Sequence, residues 1–578
     1  MYLCRKTVVL AIGLLAFSGI AEAQRFKTIA FENVRVGGEL RARLSQNLNR
    51  LEEEKYQPDH VFLTEQQSGW WPGDTEGRTI LALVMDARAL GRTPKYLDEI
   101  ISRVPSHLNG LGYMGTIHPD SLDEQQLSGN GWMLRGLCEY YLLKKDRKLL
   151  PVIRKLAESL FTAYPSLYGS YPIMPETRVK DVGGASGSLA QISNRWRLSS
   201  DIGCVFIGME GLLHALQVTG DDSLRAVARQ LVNLFLKVDL TGIKAQTHAS
   251  LTAMRGLIRY ADITGDSRYI SEAEKRWDTY RKYGMTECYA NYNWFCRYNT
   301  WTEPCAIVDS YIVASQLWQH TGKAEYRDDA ELIYYNALCY AQRANGGFGL
   351  ENNPGRANST DNITPYCDEA HWCCTMRGGE GLGRAAEFTV MKTDAGYAIP
   401  FLRDAAVCDT FRNVPVQFTV ESEYPYNGTV TVKIAHAPGK KMSMAFAKSS
   451  WMTDYAVSVG GKCVKFEEHD GLAEIRRTFK SGDEIRITFG MAPRYVDTQN
   501  KENTGAADFR VMYGPLVLGG EIGNDGNLQY GEPLQALGGG RFRGTASRTV
   551  VSPLLHLMSP QIYMGTTPAY SRRVIFRR

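Results

Sequence analysis

The chain has 578 residues, and its 66 lysine and arginine side chains nearly balance its 62 aspartate and glutamate side chains. This balance gives no electrostatic reason to expect nucleic acid or an anionic membrane surface as the main partner. The chain is too long for one ordinary hydrophobic core, so the sequence predicts two or more domains.

The N-terminal segment has the features of a signal peptide. Arg5 and Lys6 precede an apolar run from Val8 to Ile20, and Ala21-Glu22-Ala23 has the small-x-small form that signal peptidase cleaves. The apolar run is too short to span a bilayer, and no later stretch approaches about 20 uninterrupted apolar residues. We therefore expect residues 1–23 to be removed and the mature protein to be periplasmic or secreted, without a membrane span.

Residues 24–386 have the pattern of paired helices. Three amphipathic segments end in Thr-Gly, which places Gly220, Gly265 and Gly322 at the position of a left-handed helix cap. About twelve helices fit into this part of the chain, in pairs whose length is typical of stacked helical repeats. Such pairs close naturally into an (α/α)6 barrel, and an open superhelix is the structural alternative.

Residues 387–578 have the pattern of β-strands. Short runs such as "VPVQFTVESEY", "GTVTVKIAHA" and "DEIRITFGM" alternate apolar and polar residues, and Gly460-Gly461 forms a two-residue hairpin turn between two of the strands. This pattern predicts a β-sandwich. The segment "FENVRVGGEL", residues 31–40, also has strand character and is a candidate to pair with the sandwich. The predicted fold class is therefore multidomain α+β, an (α/α)6 barrel followed by a C-terminal β-sandwich.

Two segments place cysteines at the start of predicted helices. Glu303 and Cys305 flank Pro304, a residue that is favoured in the first helical turn and disfavours helix in the residue before it. Cys373 and Cys374 precede another predicted helix, whose dipole favours thiolate over thiol. Three thiolates and a carboxylate form a suitable tetrahedral zinc site. The alternatives are that Glu303 caps its helix and that the cysteines are buried apolar residues.

The run "TEPCA", residues 302–306, followed further along by the adjacent pair Cys373-Cys374, resembles the β-L-arabinofuranosidase family, glycoside hydrolase family 127. The similarity extends to "WWPGDTEGRTILAL", to the Thr-Gly-Asp helical hairpins and to "GPLVLGGEI" in the β-domain. The resemblance implies that Glu303, Cys305, Cys373 and Cys374 bind zinc and that Cys373 attacks the anomeric carbon of a sugar.

Further site residues come from the resemblance and from the "WWPGDTEGR" segment. The resemblance implies a general acid/base at Glu287, sixteen positions before Glu303, and a sugar-contacting histidine at His248. Asp74 and Trp71 are predicted to line the mouth of the site, with Asp74 hydrogen-bonding sugar hydroxyls and Trp71 stacking on the sugar. The alternative is that Asp74 caps a helix and Trp71 packs in the core.

Several positions depart from the family pattern and are predicted to alter the walls of the site. Trp132 and Cys204 stand where the family commonly carries histidine, and Thr375-Met-Arg377 replaces the usual Pro-Pro-Asn. Trp132 and Arg377 are therefore candidate substrate contacts. Arg377 or Arg297 is a candidate partner for a sugar carboxylate, because guanidinium groups pair bidentately with carboxylates.

Together these features predict a retaining glycoside hydrolase with a zinc-bound cysteine nucleophile. Its expected substrate is a terminal pentofuranose, a β-L-arabinofuranoside or a related sugar of a plant oligosaccharide or pectin. One alternative is a hydrolase for an acidic branched sugar of pectin such as aceric acid. Another is a non-catalytic glycan-binding protein, since zinc with four protein ligands is usually structural. A third is a zinc-free toroid enzyme such as an unsaturated glucuronyl hydrolase.

Overall fold

The structure is a computed structural model, and it describes residues 24–63, 71–179, 186–523, 526–555 and 571–578. The predicted signal peptide, residues 1–23, lies outside the described residues. None of the helices in the described ranges has both the length and the apolar character that a membrane crossing needs.

Among the described residues, six helices form the inner ring of a barrel, in which each helix packs against the next and the last packs against the first. They are Asp74–Leu90, Glu124–Lys144, Val205–Thr219, Thr247–Thr264, Pro304–Thr321 and Cys374–Glu387. Most of their residues are buried; in Val205–Thr219 every residue from Val205 to Leu216 is buried. These helices are buried on nearly all sides because they pack against neighbours in every direction, and they also bury charged side chains near the barrel axis.

An outer helix packs against each inner helix. The outer helices are Gly38–Leu51, Leu97–His107, Leu149–Phe161, Arg225–Phe235, Arg268–Tyr283 and Ala324–Ile333. They are amphipathic: Arg225–Phe235 buries Val227, Ala228, Leu231 and Val232 and exposes its charged residues. The predicted (α/α)6 barrel is thereby confirmed. Shorter helices are Pro58–Val61, the π-helical Tyr334–Leu338 and Cys339–Ala341.

The Thr-Gly segments end inner helices as predicted. Gly220, Gly265 and Gly322 have φ angles of 65°, 72° and 70°, and each backbone N–H donates to the carbonyl group of the residue four positions earlier. Outer and inner helices alternate along the chain from Gly38–Leu51 to Cys374–Glu387, and each outer helix returns the chain to the same end of the barrel. All inner helices therefore run in the same direction, and their N-termini meet at one end of the barrel.

Two sheets are formed mainly by residues that follow the barrel, and each also contains one strand from the N-terminal segment. The six-stranded sheet has the order Lys27–Thr28, Met391–Thr393, Gly396–Ile399, Lys441–Ala447, Leu472–Thr478, Glu467–His469. The seven-stranded sheet has the order Lys462–Val464, Thr453–Val459, Glu484–Gly490, Thr429–His436, Val414–Ser422, Ala405–Phe411, Val34–Val36. The chain crosses between these sheets several times, and the Tyr397 ring of the first lies 5.3 Å, centroid to centroid, from the Phe418 ring of the second, as in a β-sandwich.

Two details of the sandwich confirm the sequence prediction. Val459 pairs with Lys462 across Gly460-Gly461, whose φ angles are 56° and 75°, the backbone that a two-residue hairpin turn requires. Strand Val34–Val36 pairs with the start of Ala405–Phe411, so the N-terminal segment does return to the sandwich.

A third, nine-stranded sheet connects the β-region to the barrel. Its order is Leu534–Gly538, Arg541–Gly544, Val550–Pro553, Leu516–Glu521, Arg572–Arg573, Asn362–Cys367, Leu350–Asn352, with Pro493–Asp497 and Phe509–Tyr513 attached through Leu516–Glu521. Leu350–Asn352 and Asn362–Cys367 come from the barrel connection that leads to Cys373. A small sheet of Leu122–Asp123, Trp196–Ser199 and Leu189–Ser193 lies beside the inner-helix N-termini.

Glycines allow two inner helices, Glu124–Lys144 and Val205–Thr219, to approach closely. A Cβ atom on Gly211 would lie 2.3 Å from the carbonyl oxygen of Gly131, and one on Gly131 would lie 2.7 Å from Cα of Gly208. Backbone atoms cannot move aside as a flexible side chain can, so these positions require glycine.

We therefore expect Gly211→Ala to lower the free energy of unfolding by about 1–3 kcal/mol, because the added methyl group forces the two helices apart. Urea unfolding followed by circular dichroism measures this. The control is Gly169→Ala, where an added Cβ meets nothing within 4 Å and the change should stay within about 0.5 kcal/mol. Equal effects of the two substitutions would contradict the packing described.

Candidate active site

Three cysteine sulfurs meet at the N-termini of two neighbouring inner helices. Sγ of Cys374 lies 3.8 Å from Sγ of Cys305 and 3.3 Å from Sγ of Cys373. Cys305 and Cys374 are buried, whereas Cys373 is half-buried. The two segments that the sequence singled out are therefore adjacent in the fold, and their donor atoms are close enough to share one metal ion.

A second group of donor atoms shares Cys305. Nδ1 of His248 lies 3.3 Å from Oε1 of Glu303, and these atoms together with Sγ of Cys305 are close enough to share an ion. On the other side of the ring, Nε2 of His248 lies 3.5 Å from Oδ2 of Asp309. A carboxylate behind an imidazole is the arrangement that orients metal-binding histidines. The sequence predicted only a sugar contact for His248; the structure places its Nδ1 beside the metal-ligand candidates.

The arrangement of these residues fits a metal ion. Oε2 of Glu303 is buried and has no hydrogen-bond partner among the described residues, so an ion between Glu303 and the sulfurs would satisfy it. Thiolate, imidazole and carboxylate are together the donor set of a soft or borderline divalent ion. The candidate donors therefore form two groups that share Cys305. One is Cys305, Cys373 and Cys374, and the other is Cys305, Glu303 and His248, of which His248 is an addition to the predicted set.

Arg78 supplies positive charge to the sulfur cluster. Its Nη1 donates a hydrogen bond to Sγ of Cys305 at 3.1 Å, while Nε and Nη2 donate to the two carboxylate oxygens of Asp74 at 2.6 and 2.8 Å. Burial opposes ionisation of Cys305, yet hydrogen bonds from Cys373 and Cys374 and the charge of Arg78 bring its pKa well below the usual range. Asp74 thereby fixes the guanidinium group that stabilises this thiolate.

The pKa values of the other two thiols are shifted in the opposite direction, above the usual range. The hydrogen bond to Cys305 is the main cause that raises the pKa of Cys373, and burial is the main cause that raises the pKa of Cys374. Three thiolates at this separation repel one another unless a cation lies between them. A bound divalent ion is the condition under which all three sulfurs ionise together.

A cavity of about 530 Å³ opens above the cluster at the N-terminal end of the inner helices. Of the three cysteines, Cys373 alone lines it. Aromatic side chains form much of the remaining wall: Trp301 stacks on Tyr366 with ring centroids 5.2 Å apart, and Trp71 and Trp372 also face the cavity. Flat aromatic faces beside polar groups suit the binding of a sugar ring.

Trp71 and Asp74 are in the predicted place, since both line the cavity. Asp74 does not lie there as a free acceptor, because it is bound to Arg78 through both oxygens. The helix-capping alternative is not what the structure shows: the side chain of Asp74 lies within the first helical turn and caps no backbone N–H group.

Trp132 and Arg377 lie behind the site and do not line the cavity, which corrects their prediction as substrate contacts. The Trp132 ring is fully buried, with the guanidinium groups of Arg78, Arg135 and Arg377 4.1, 4.2 and 4.4 Å from its centroid. Arg377 donates to Oδ1 of Asp309 at 2.6 Å and also pairs with Glu380. Arg377 therefore contacts the site only through Asp309, which in turn lies beside Nε2 of His248.

Glu287 also lies away from the cavity. Its carboxylate accepts backbone N–H groups from Gln499, at 2.9 and 3.0 Å, and from Asn500, at 2.8 Å, and the Arg510 guanidinium lies 3.5 Å away. Counting back sixteen positions from Glu303 leads, in this fold, to a residue at the junction with the β-region. The acid/base role that the resemblance implies for Glu287 has no geometric support here.

Arg297 does not line the cavity either; its guanidinium lies 4.4 Å from the ring centroid of Trp294.

Sequence reasoning missed Asp201, which does line the cavity. Its carboxylate accepts hydrogen bonds from the Ser186 hydroxyl at 3.0 Å and from the Gly187 N–H at 3.1 Å. Burial, followed by the charge of Glu303, raises the pKa of Asp201 to about 7. The available signal was its position just before an inner helix, in "SSDIGC".

Comparisons with known proteins agree with this architecture. Residues 81–387 match the model described as beta-L-arabinofuranosidase, GH127 catalytic domain, and residues 404–491 match the corresponding GH127 middle domain. A comparison with curated proteins finds no match.

Solved structures with the same fold include a GH127 beta-arabinofuranosidase with a TM-score of 0.69 at 16% identity, covering 96% of this chain and 98% of that one. A GH127 beta-L-arabinofuranosidase from Geobacillus stearothermophilus T6 has a TM-score of 0.68 at 14% identity, covering 94% of this chain and 100% of that one. These findings confirm the resemblance: the chain belongs to glycoside hydrolase family 127, the β-L-arabinofuranosidase family, and is a glycoside hydrolase.

Proposed function

We propose that the protein is exported and removes a terminal, neutral pentofuranose of the β-L-arabinofuranoside type from plant oligosaccharides, with retention of configuration. Cys373 is the proposed nucleophile, and Glu303, Cys305, Cys373 and Cys374 are the proposed ligands of a zinc ion. The observation that carries the proposal is that Cys373 belongs to the sulfur cluster and also lines the cavity. Attack by sulfur needs a thiolate that a substrate can reach: the cavity gives access to Cys373, and the proposed zinc ion would supply its ionisation.

The charge of the cavity favours a neutral sugar over an acidic one. Arg78 is the single arginine or lysine among the described residues that line the cavity, and Asp74 already binds it through two hydrogen bonds. Asp74, Asp201 and Glu303 add carboxyl groups to the same wall. A sugar carboxylate would enter without an available cationic partner, which is costly in a partly buried site.

The cavity also favours catalysis over a purely structural zinc site. Structural zinc is closed off by its four ligands, whereas a catalytic site leaves a reactive position accessible. In this protein the accessible position is a ligand sulfur, since Cys305 and Cys374 are buried while Cys373 borders the cavity.

The chain's own residues perform two displacements. Sulfur of Cys373 attacks the anomeric carbon as the bond to the departing oxygen breaks, and water then replaces sulfur on the same carbon. The walls formed by Trp71, Trp301 and Tyr366 hold the sugar ring against Cys373. When bound, zinc would keep the sulfur ionised and fix its direction. Arg78 holds Cys305 ionised beside it.

The role of Cys373 as nucleophile predicts a large loss of activity on its replacement. The purified protein should release p-nitrophenol from p-nitrophenyl β-L-arabinofuranoside, and Cys373→Ser should lower kcat/KM by at least about 10³-fold, because serine is a poor nucleophile without a base beside it. The control is Cys408→Ser, an exposed cysteine of the sandwich, which should leave turnover unchanged. Turnover by Cys373→Ser within about tenfold of wild type would contradict the assignment.

The sulfur cluster predicts a stoichiometric metal ion. The purified protein should carry one zinc ion per chain, and Cys305→Ser or Cys374→Ser should weaken zinc binding at least about 100-fold, because a thiolate ligand is lost. Competition with a chromogenic chelator measures this without reference to activity. Cys463→Ser, an exposed cysteine far along the chain, is the control. Unchanged zinc affinity in both cluster variants would exclude the proposed ligand set.

The charge of the cavity predicts discrimination against acidic sugars. Neutral arabinofuranosides should be hydrolysed at least about 10²-fold faster, as kcat/KM, than otherwise identical glycosides that carry a carboxylate on the sugar ring, since that charge loses its hydration without gaining a partner. Paired synthetic substrates with the same leaving group provide the comparison. Preference for the carboxylated sugar would favour the acidic-sugar alternative.

A further inference from the structure

A retaining glycosidase needs a proton donor for the departing oxygen, and Glu287 does not line the cavity, since its carboxylate binds the backbone of Gln499 and Asn500. The described residues that line the cavity include three carboxyl groups, those of Asp74, Asp201 and Glu303. The donor must be able to hold a proton near neutral pH and to release it to the substrate. Its assignment rests on the proposed function, because only a glycosidase reaction requires such a donor.

Two of the three carboxyl groups are already engaged. Asp74 accepts two hydrogen bonds from the Arg78 guanidinium, which favours its ionised form. Glu303 belongs to the metal-ligand group, with Oε1 3.3 Å from Nδ1 of His248. Burial raises the pKa of both groups, but a carboxylate that binds an arginine or a metal ion has its oxygens engaged and is a poor proton donor.

Asp201 has different surroundings. It is 4% exposed, and its carboxylate accepts hydrogen bonds from the Ser186 hydroxyl and the Gly187 N–H, neither of which carries a charge. The charged groups that act on it are Glu303, which favours the protonated form, and His248, which opposes it; Cys204 follows on the same helix start. Burial, followed by the charge of Glu303, raises the pKa of Asp201 to about 7, against the hydrogen bonds from Ser186 and Gly187, which favour the carboxylate.

The segment around Gly187 places Asp201 beside the aromatic wall. A Cβ atom on Gly187 would lie 3.0 Å from Nε1 of Trp71, so the backbone that binds Asp201 is packed against that ring. The carbonyl oxygen of Gly187 accepts a hydrogen bond from Gln125 at 2.9 Å, which fixes the segment to an inner helix. The carboxyl group is therefore held rigidly next to a surface on which a sugar would stack.

We infer that Asp201 is the general acid and base of the reaction. In the first step the carboxylic acid gives its proton to the glycosidic oxygen as the carbon–oxygen bond breaks, sulfur of Cys373 bonds to the anomeric carbon, and the alcohol leaves. In the second step the carboxylate takes a proton from water as the water oxygen bonds to that carbon. The carbon–sulfur bond breaks in this same step, as the new carbon–oxygen bond forms, which restores the thiolate and the carboxylic acid and releases the free sugar.

The test compares Asp201→Asn with wild type on an alkyl and a p-nitrophenyl β-L-arabinofuranoside. Asparagine cannot donate a proton, so kcat/KM should fall at least about 10³-fold for the alkyl glycoside and much less for p-nitrophenyl, which leaves without protonation. With the latter substrate a sugar adduct on Cys373 should accumulate and be visible by intact mass spectrometry. Added azide should speed turnover and yield the glycosyl azide, because azide needs no base.

The pH profile provides a second measurement. Wild-type kcat/KM should fall as the pH rises through about 7, where Asp201 loses its proton, and this limb should be absent in Asp201→Asn. Asp201→Glu keeps a carboxyl group one methylene further out, so it should retain the limb at a lower rate. This variant keeps the test valid if the asparagine variant folds poorly.

Glu287→Gln is the matched control. It should keep the wild-type dependence on leaving group and on pH, with a lower Tm because the hydrogen bonds to Gln499 and Asn500 weaken. The inference would be overturned if Glu287→Gln lost much more activity on the alkyl than on the p-nitrophenyl glycoside and was rescued by azide, while Asp201→Asn showed neither effect. If wild type releases no sugar from either substrate while folded and zinc-loaded, the proposed function fails instead, and the inference falls with it.

Discussion

Three sulfur atoms impose the main constraint on this structure. Sγ of Cys374 lies within 4 Å of Sγ of Cys305 and of Sγ of Cys373, and the three sulfurs ionise together only around a cation. The barrel brings them there because its inner helices all begin at one end. Cys305 and Cys374 lie in the first turns of adjacent inner helices, and Arg78 reaches Cys305 from a third. The fold thus collects, at one place, residues that are far apart along the chain.

The β-region contributes to the site more directly than a separate domain would. Strand Asn362–Cys367, which leads into Cys373, belongs to the nine-stranded sheet and carries Tyr366 into the cavity wall. The backbone N–H groups of Gln499 and Asn500 bind Glu287 and so join the same region to the loop before Glu303. The third sheet therefore supports both segments that carry the metal-ligand candidates.

Local signals predicted the barrel and the metal-ligand candidates well. A glycine cap can be recognised from a few neighbouring residues, and Pro304 alone indicates the helix boundary that separates Glu303 from Cys305. Predictions that depended on distance along a loop were less successful. Glu287 was placed by its offset from Glu303, and in this fold that position lies at the barrel–sheet junction. The positions of Trp132 and Arg377 could be predicted only by knowing which face of each helix points below the site. Asp201 belongs to no motif with a characteristic spacing.

The central claim, that one ion is bound by three sulfurs from two segments, is tested most directly by zinc K-edge X-ray absorption on the purified protein. We expect a first shell of three sulfur atoms at about 2.3 Å and one oxygen or nitrogen atom at about 2.0–2.2 Å. Participation of His248 would add a second light atom at that shorter distance. A shell of oxygen and nitrogen atoms without sulfur would contradict the claim.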